Sequence, residues 1–251
     1  MTAAPAAAGV VLELDQGNTR TKWRLLNDAG ECLDRGASPK EQAPTWPPPD
    51  RANAAPSVRA VSVAGEADRA ALRAGLLAAG YAEPRFAAAA DTHGRLRSGY
   101  REPTRLGADR WVALVAATLA TTGACGVLDA GSAITLDLVD ERGVHEGGWI
   151  VPGLRLMRES LLRDTAGIRY EARESCGAVV PGRSTAEAVE GGTALMARDF
   201  AHRRWEAFVD RFPDAVLFVT GGDGPRLAEG LEGAVRLAPD LVLDGLQPVL
   251  G

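Results

Sequence analysis

Two stretches of this chain follow one plan. The first reads Val10-Val11-Leu12-Glu13-Leu14-Asp15-Gln16-Gly17-Asn18-Thr19 and the second Gly126-Val127-Leu128-Asp129-Ala130-Gly131-Ser132-Ala133-Ile134-Thr135. Each is an apolar run, then Asp-x-Gly-(Asn/Ser), then a second strand-like run, Lys22 to Leu26 in one copy and Ile134 to Val139 in the other. An aspartate at a strand end, followed by a glycine turn, puts a carboxylate and backbone N–H groups at one point. Such a turn suits phosphate oxygens on the N–H groups and a cation on the carboxylate. The repetition predicts two similar halves, with a nucleotide cleft where the two turns face each other.

The 251 residues suffice for one large domain or two smaller ones. A net charge of −5, with Arg and Lys dispersed, gives no support for nucleic-acid binding. No apolar run approaches the ~20 residues of a membrane helix. The stretch from Met1 to Gly9 lacks a basic n-region and reads as a frayed tail rather than a secretion signal. Cys32, Cys125 and Cys176 are scattered and odd in number, as reduced thiols of a cytoplasmic protein would be. His93, His145 and His202 form no metal-binding spacing and receive no role.

Val10–Asp15, Thr21–Leu26 and Cys32–Gly36 read as an antiparallel meander. The Pro-rich segment Ala37 to Ser57 reads as an exposed loop. Val58–Ala64 is a buried-strand candidate, Glu66–Ala79 a helix stopped by Gly80, and Arg85–Ala90 another strand. Leu106–Thr121 reads as a helix. The opening then recurs as Gly126–Asp129, Ile134–Val139 and Gly143–Val151. Gly153–Leu162 and Ser184–Phe208 read as helices, the latter kinked or broken at Gly191-Gly192. Ala215–Val219 is a strand and Pro225–Glu229 starts a helix. Strands in threes followed by helices, twice, predict a duplicated α/β fold with halves 9–122 and 123–251.

Six elements could carry chemistry. In Asp15-Gln16-Gly17-Asn18-Thr19-Arg20-Thr21-Lys22, Gly17 permits close approach to a phosphate, while Asn18, Thr19 and Lys22 supply donors and charge; a plain hairpin turn is the alternative. The second turn, Asp129 to Ser132, shifts the balance towards a site, because unrelated hairpins need not share the Asp-x-Gly start. Asp137, further along that strand, reads equally as a solvated residue. In Tyr100-x5-Leu106-Gly107-Ala108-Asp109-Arg110, Asp109 could take a hydroxyl proton and Arg110 could bind an anion, or Asp109 could simply complement a helix dipole. Gly147-Gly148-Trp149-Ile150-Val151-Pro152-Gly153 suggests a ligand wall, and Thr220-Gly221-Gly222-Asp223 room for a flat ring. Gly182-Arg183-Ser184-Thr185 with Glu187 reads as a helix cap that still permits a ligand contact by Thr185.

Together these residues resemble the type III pantothenate kinases, within the acetate and sugar kinase, Hsp70 and actin superfamily. The resemblance runs from about residue 10 to 230. It rests on Asp15-x-Gly-Asn-Thr with Lys22, Tyr100 with Gly107-x-Asp109-Arg110, Asp129-x-Gly-Ser-Ala-x-Thr135, Gly147-Gly-x-Ile-x-Pro-Gly-Leu154 and Thr220-Gly-Gly222. It implies two ribonuclease-H-like, actin-like ATPase domains, ATP between them, and a homodimer in which both subunits help bind pantothenate. Mg²⁺ and a monovalent cation, K⁺ or NH₄⁺, are implied as cofactors. Asp109 corresponds to the general base for the primary hydroxyl of pantothenate and Arg110 to the residue holding its carboxylate. Tyr100, Gly107, Ala108 and Thr185 correspond to further substrate contacts. Asp15, Gln16, Gly17, Asn18, Thr19, Arg20, Thr21 and Lys22 correspond to the phosphate loop, with Asp15 a candidate for Mg²⁺. Asp129 corresponds to the monovalent-cation ligand, and Ser132, where Thr is more usual, to an ATP contact. The Pro-rich stretch 37–57 has no counterpart in this picture.

The implied activity is phosphorylation of pantothenate to 4′-phosphopantothenate, the first step of coenzyme A biosynthesis. Two other readings remain open: a kinase for another small alcohol or a sugar, and a regulatory protein that keeps the scaffold but acts by binding a partner.

Overall fold

A computed structural model describes residues 9–40, 42, 46–47, 55–170 and 180–251. Cys176 and several prolines of the 37–57 segment (Pro44, Pro48 and Pro49) lie outside them. In chain order the elements are β1 (Val11–Gln16), β2 (Arg20–Leu26), β3 (Cys32–Pro39), β4 (Ser57–Ser62), α1 (Glu66–Ala79), β5 (Arg85–Phe86), β6 (Thr92–His93), β7 (Leu96–Arg97) and α2 (Ala108–Ala120). There follow β8 (Cys125–Ala130), β9 (Ala133–Val139), β10 (His145–Pro152), α3 (Leu154–Asp164), α4 (Thr185–Val209), β11 (Val216–Thr220), α5 (Gly224–Ala228), β12 (Ala234–Leu237), α6 (Leu241–Asp244) and α7 (Leu246–Leu250). Two compact units result. One holds the chain up to His93 with Tyr100–Ala116 and Asp240–Gly251, and the other holds Gly94–Gly99 with Ala117–Pro239. The C-terminal dozen residues therefore sit with the N-terminal unit, whereas the sequence reading divides the chain once, after residue 122.

The duplication is visible in the topology. The first sheet has the order β3-β2-β1-β4-β5 and the second β10-β9-β8-β11-β12. In each, the first three strands are antiparallel and the last two run parallel to the central one. Tight turns serve the antiparallel meander, and the parallel strands are reached by crossovers.

In the first unit, strand alternation separates two faces. Leu12, Leu14, Trp23, Val58 and Ala60 face the helix and pack with Leu72, Leu76 and Tyr81. Gly80, at φ +94°, ends α1 in the left-handed conformation that glycine adopts without steric cost. On the other face Glu13 is fully buried. Its carboxylate takes Arg24 at 2.7 Å and Arg59 at 3.2 Å, and Arg24 reaches on to Asp244 of α6 at 2.6 Å. Burial works to lower the Arg24 pKa, but the carboxylates of Asp244 and Glu13 outweigh it and hold the guanidinium charged. α6 and α7 complete this face, and a Cβ on Gly245 between them would lie 2.1 Å from the Val112 carbonyl of α2.

In the second unit, Leu128, Ala130, Ile134, Leu136, Leu138, Leu217 and Val219 pack against Leu154 and Met157 of α3 and Ala197, Ala201, Trp205 and Phe208 of α4. Gly126 leaves room for the Trp205 ring, which would lie 2.8 Å from any Cβ there. Arg95 caps the end of α2, donating to the carbonyls of Thr118, Thr121 and Gly123 at 3.3, 2.9 and 2.8 Å.

Several expectations need correction. β3 runs on through Ala37 to Pro39, because an edge strand tolerates a proline. Trp46 packs on the first core and the Pro47 carbonyl accepts the Tyr81 hydroxyl at 2.6 Å, so that part of the Pro-rich segment is not simply exposed. The strand expected over Arg85–Ala90 is only Arg85–Phe86. α4 is one unbroken helix of 25 residues through Gly191-Gly192. Val189, Thr193, Ala197, Ala201 and Trp205 bury one continuous face at four-residue spacing, which offsets about 1 kcal/mol of helix propensity per glycine.

Two outcomes test this architecture. Gly221, at φ +83°, would place a Cβ 2.4 Å from the Ala130 carbonyl oxygen, whereas Gly30, at φ +79°, faces open space. Gly221→Ala is expected to cost at least about 2 kcal/mol in urea unfolding and Gly30→Ala about 1 kcal/mol; equal costs would refute the close approach. Burial raises the Cys125 thiol from 9.0 to about 11, with Arg95 pulling weakly the other way. The neutral thiol's contribution to stability is therefore full below pH 9 and lost as pH rises towards 11. Of the two described cysteines, exposed Cys32 should take iodoacetamide at pH 8 and Cys125 should not, as peptide mass spectrometry would show.

Candidate functional site

The first Asp-x-Gly turn joins β1 to β2. Register pairs Asp15 with Lys22, Glu13 with Arg24, and Gln16 with Thr21. Directly paired residues share a face, so Asp15 and Lys22 lie on the Glu13 side of the sheet and Gln16 and Thr21 on the α1 side. The side chains of the eight-residue phosphate element are thus divided. Gln16 accepts from the Ser62 hydroxyl at 2.7 Å and donates to the Asp68 carbonyl at 3.3 Å, tying β1 to β4 and α1. The Gly17 N–H closes the turn on the Arg20 carbonyl at 3.0 Å, and the Thr19 carbonyl takes the Lys40 N–H at 2.9 Å. Asn18 and Arg20 are exposed at the tip.

The second turn is built alike. Asp129 pairs with Thr135, on the face opposite the α4 core, and the Gly131 N–H bonds to the Ala133 carbonyl at 2.9 Å. Here two further glycine elements converge. The Gly153 N–H donates to the Ser132 carbonyl at 3.0 Å, and a Cβ at Gly153 would lie 2.2 Å from the Gly131 carbonyl. The Asp223 N–H donates to the Ala130 carbonyl at 3.0 Å, with Gly221 pressed on the same peptide. Pro152-Gly153 and Gly221-Gly222 therefore wall the Asp129–Ser132 turn. Gly147 and Gly148 lie within β10, where a register shift sits between His145 and Gly147.

Asp137 is corrected too. It is 1% exposed and its carboxylate bonds to Nε2 of fully buried His145 at 2.8 Å. Gly148 stands opposite it on β10. The clue is the spacing: Thr135 and Asp137 share a face with Asp129, so Asp137 had to be buried if that face was.

The Gly-x-Asp-Arg element starts α2. Ala108 opens the helix, and the Asp109 carboxylate accepts the Arg110 N–H at 2.7 Å, satisfying a helix-terminal donor. Any Cβ at Gly107 would lie 2.7 Å from that carboxylate oxygen. Arg110 is buried, donates to the Tyr100 hydroxyl at 2.7 Å, and lies 5.5 Å from the centre of the Tyr100 ring. The structure thus unites Tyr100, Gly107, Asp109 and Arg110. A guanidinium fixed this way presents a planar fork to an anion, beside a carboxylate able to take a proton.

Thr185 opens α4 just after its cap. Ser184 accepts the Glu187 N–H at 3.2 Å, and Glu187 reaches back to the Arg183 N–H at 2.6 Å. The same helix carries a buried carboxylate that no local motif marks: Glu190 holds Arg158 at 2.5 Å and the Tyr170 hydroxyl at 3.0 Å, joining α3 to α4. Among the described residues no group of three or more His, Cys, Asp or Glu could hold a metal ion, and no helix is long and apolar enough to cross a membrane.

Two copies of one five-stranded mixed sheet, each with an acidic turn, define the duplicated ribonuclease-H-like fold of the actin-like ATPases and sugar kinases. A protein described as a proposed 2-dehydro-3-deoxygalactonokinase from Sinorhizobium meliloti shares it, with a TM-score of 0.61 at 14% identity over 95% of this chain and 97% of its own. So does one described as a proposed Baf family transcriptional activator from Campylobacter jejuni, with a TM-score of 0.57 at 18% identity over 95% and 96%. The family profile of the type III pantothenate kinases matches residues 11–207. Type III pantothenate kinases from Pseudomonas aeruginosa strain LESB58 and Azoarcus sp. strain BH72 are 39% and 40% identical to it, over 94% of this chain and 97% and 89% of theirs. The chain belongs to the type III pantothenate kinase family.

The division of the first turn is testable at Gln16. Gln16→Leu should cost about 1–2 kcal/mol in urea unfolding, by stranding the Ser62 hydroxyl and the Asp68 carbonyl, while affinity for a fluorescent ATP analogue changes less than about threefold. A large loss of nucleotide affinity at unchanged stability would put the Gln16 side chain at the phosphates.

Proposed function

We propose that this chain transfers the γ-phosphoryl group of ATP to the primary hydroxyl of pantothenate, giving 4′-phosphopantothenate for coenzyme A biosynthesis. The observation that carries the reading is buried Arg110, held by half-buried Tyr100 beside Asp109 at the start of α2, in a chain of this family. It supplies a rigid cation for the pantothenate carboxylate and a base one residue away. In this reading Arg110 and Tyr100 bind and orient the substrate, Gly107 and Ala108 let it approach, and Thr185 adds a contact. The Asp109 carboxylate takes the hydroxyl proton as the oxygen attacks phosphorus and the bond to the leaving ADP oxygen breaks.

The acidic turns fit nucleotide phosphates and cations. Asp15 shares a sheet face with Lys22, and Asp129 lies beside a turn walled by glycines. We assign Asp15, Gly17, Asn18, Thr19, Arg20 and Lys22 to the phosphates, Ser132 to the nucleotide, Asp15 to Mg²⁺ and Asp129 to K⁺ or NH₄⁺. Gln16 and Thr21 would contribute through their backbone. With no three-ligand cluster in the described residues, a divalent ion would rely on phosphate oxygens and water for most of its shell. Bound cations neutralise charge on the transferring phosphoryl group. The reading includes a cytoplasmic homodimer.

Asp109→Asn should lower turnover by about 10²–10⁴-fold while the protein still binds an ATP analogue, with phosphopantothenate followed by mass spectrometry in the presence of potassium. Near-normal turnover would remove Asp109 as the base. ATP consumption that ignores pantothenate but follows another alcohol would overturn the substrate.

A further inference from the structure

The α1 side of the first sheet carries a cavity of about 550 Å³ that the reaction above does not use. Its apolar wall includes Leu72 and Gly75 of α1, with Trp46 also lining it, and its polar end includes Gln16 and Thr21. This size is that of small-molecule pockets. Thr21 is only 5% exposed and lines the cavity beside Gln16. The charges at the rim, Lys40 and Asp68, pair at 2.8 Å and cancel. We infer that this cavity binds a small neutral ring compound with a hydrogen-bonding edge, such as an aromatic amide, and that occupancy alters nucleotide affinity.

The coupling follows from the strands. Gln16 and Thr21 line the cavity on one face of the β1–β2 pair, and Asp15 and Lys22, their immediate neighbours, lie on the other. Lys40 bridges the same parts, its N–H on the Thr19 carbonyl and its ammonium on Asp68 of α1. A ligand that draws on Thr21 and Gln16 therefore acts on the turn itself. This coupling, though not the site, rests on the assignment of the phosphates to Asp15–Lys22.

The probes are benzamide, nicotinamide and indole-3-carboxamide, with binding followed by ligand-observed saturation-transfer NMR on the full chain. At least one should saturate with a Kd on the order of 1 mM or tighter. Gly75→Leu should weaken it at least about tenfold: a Cβ at Gly75 meets nothing within 4 Å, so the new side chain can enter the cavity, and leucine favours helix over glycine. Thr21→Val, which keeps shape and removes the hydroxyl, should weaken binding about fivefold to tenfold. Absence of saturable binding to the unaltered protein, or equal binding to Gly75→Leu, overturns the site. A saturating probe should shift the Kd of a fluorescent ATP analogue at least about fivefold in the unaltered protein and not in Gly75→Leu. Probe binding with an unmoved nucleotide Kd overturns the coupling. Failure of the analogue to bind without any probe overturns the phosphate assignment instead, and leaves the NMR result to decide the site.

Discussion

The placement of Asp15, Lys22 and Asp129 depends on the two-residue period of a β-strand. Each sheet buries one face under helices and must do so with consecutive alternate side chains. Leu12 and Leu14 are committed to α1, and Leu128 and Ala130 to the α3–α4 layer. Asp15 and Asp129, the odd-numbered neighbours, are thereby forced to the opposite face. A one-residue slip of either central strand would send its aspartate into an apolar core. Packing and chemistry are thus specified by the same alternation, and neither can drift without the other.

Much of this was legible because it is local. The Asp-x-Gly turns, the Gly80 stop and the Ser184–Glu187 cap are each written within a few residues, and each forms as read. The repeat also announced two sheets of one order. What stayed hidden was long-range. No periodicity shows that Arg24 will meet Asp244, or that residue 95 will cap a helix ending at 120. The unbroken α4 was hidden for the same reason. The propensity of Gly191-Gly192 argues for a break, and only the buried face from Val189 to Trp205 overrules it.

The candidate site was legible in its residue types but not in its orientation. Reading Asp15 to Lys22 as one loop treats eight neighbours as equals, whereas the pleat sends Gln16 and Thr21 away from Asp15. Asp137 shows the opposite error. A carboxylate on a strand is usually solvated, and its burial against His145 depends on a partner from β10. Arg110 was legible as a cation at a helix start, but its hydrogen bond to Tyr100 was not.

The C-terminal segment has a consequence for how the molecule is made. α6 and α7 close the face where Glu13 is buried, and Arg85 grips the carbonyls of Leu250 and Gly251. The first sheet is therefore covered only once Asp240–Gly251 have been made, after the whole of the second unit. The second unit carries its own core. Closing the first sheet thus joins strands from one end of the sequence to helices from the other, a non-local pairing of the kind that slows folding.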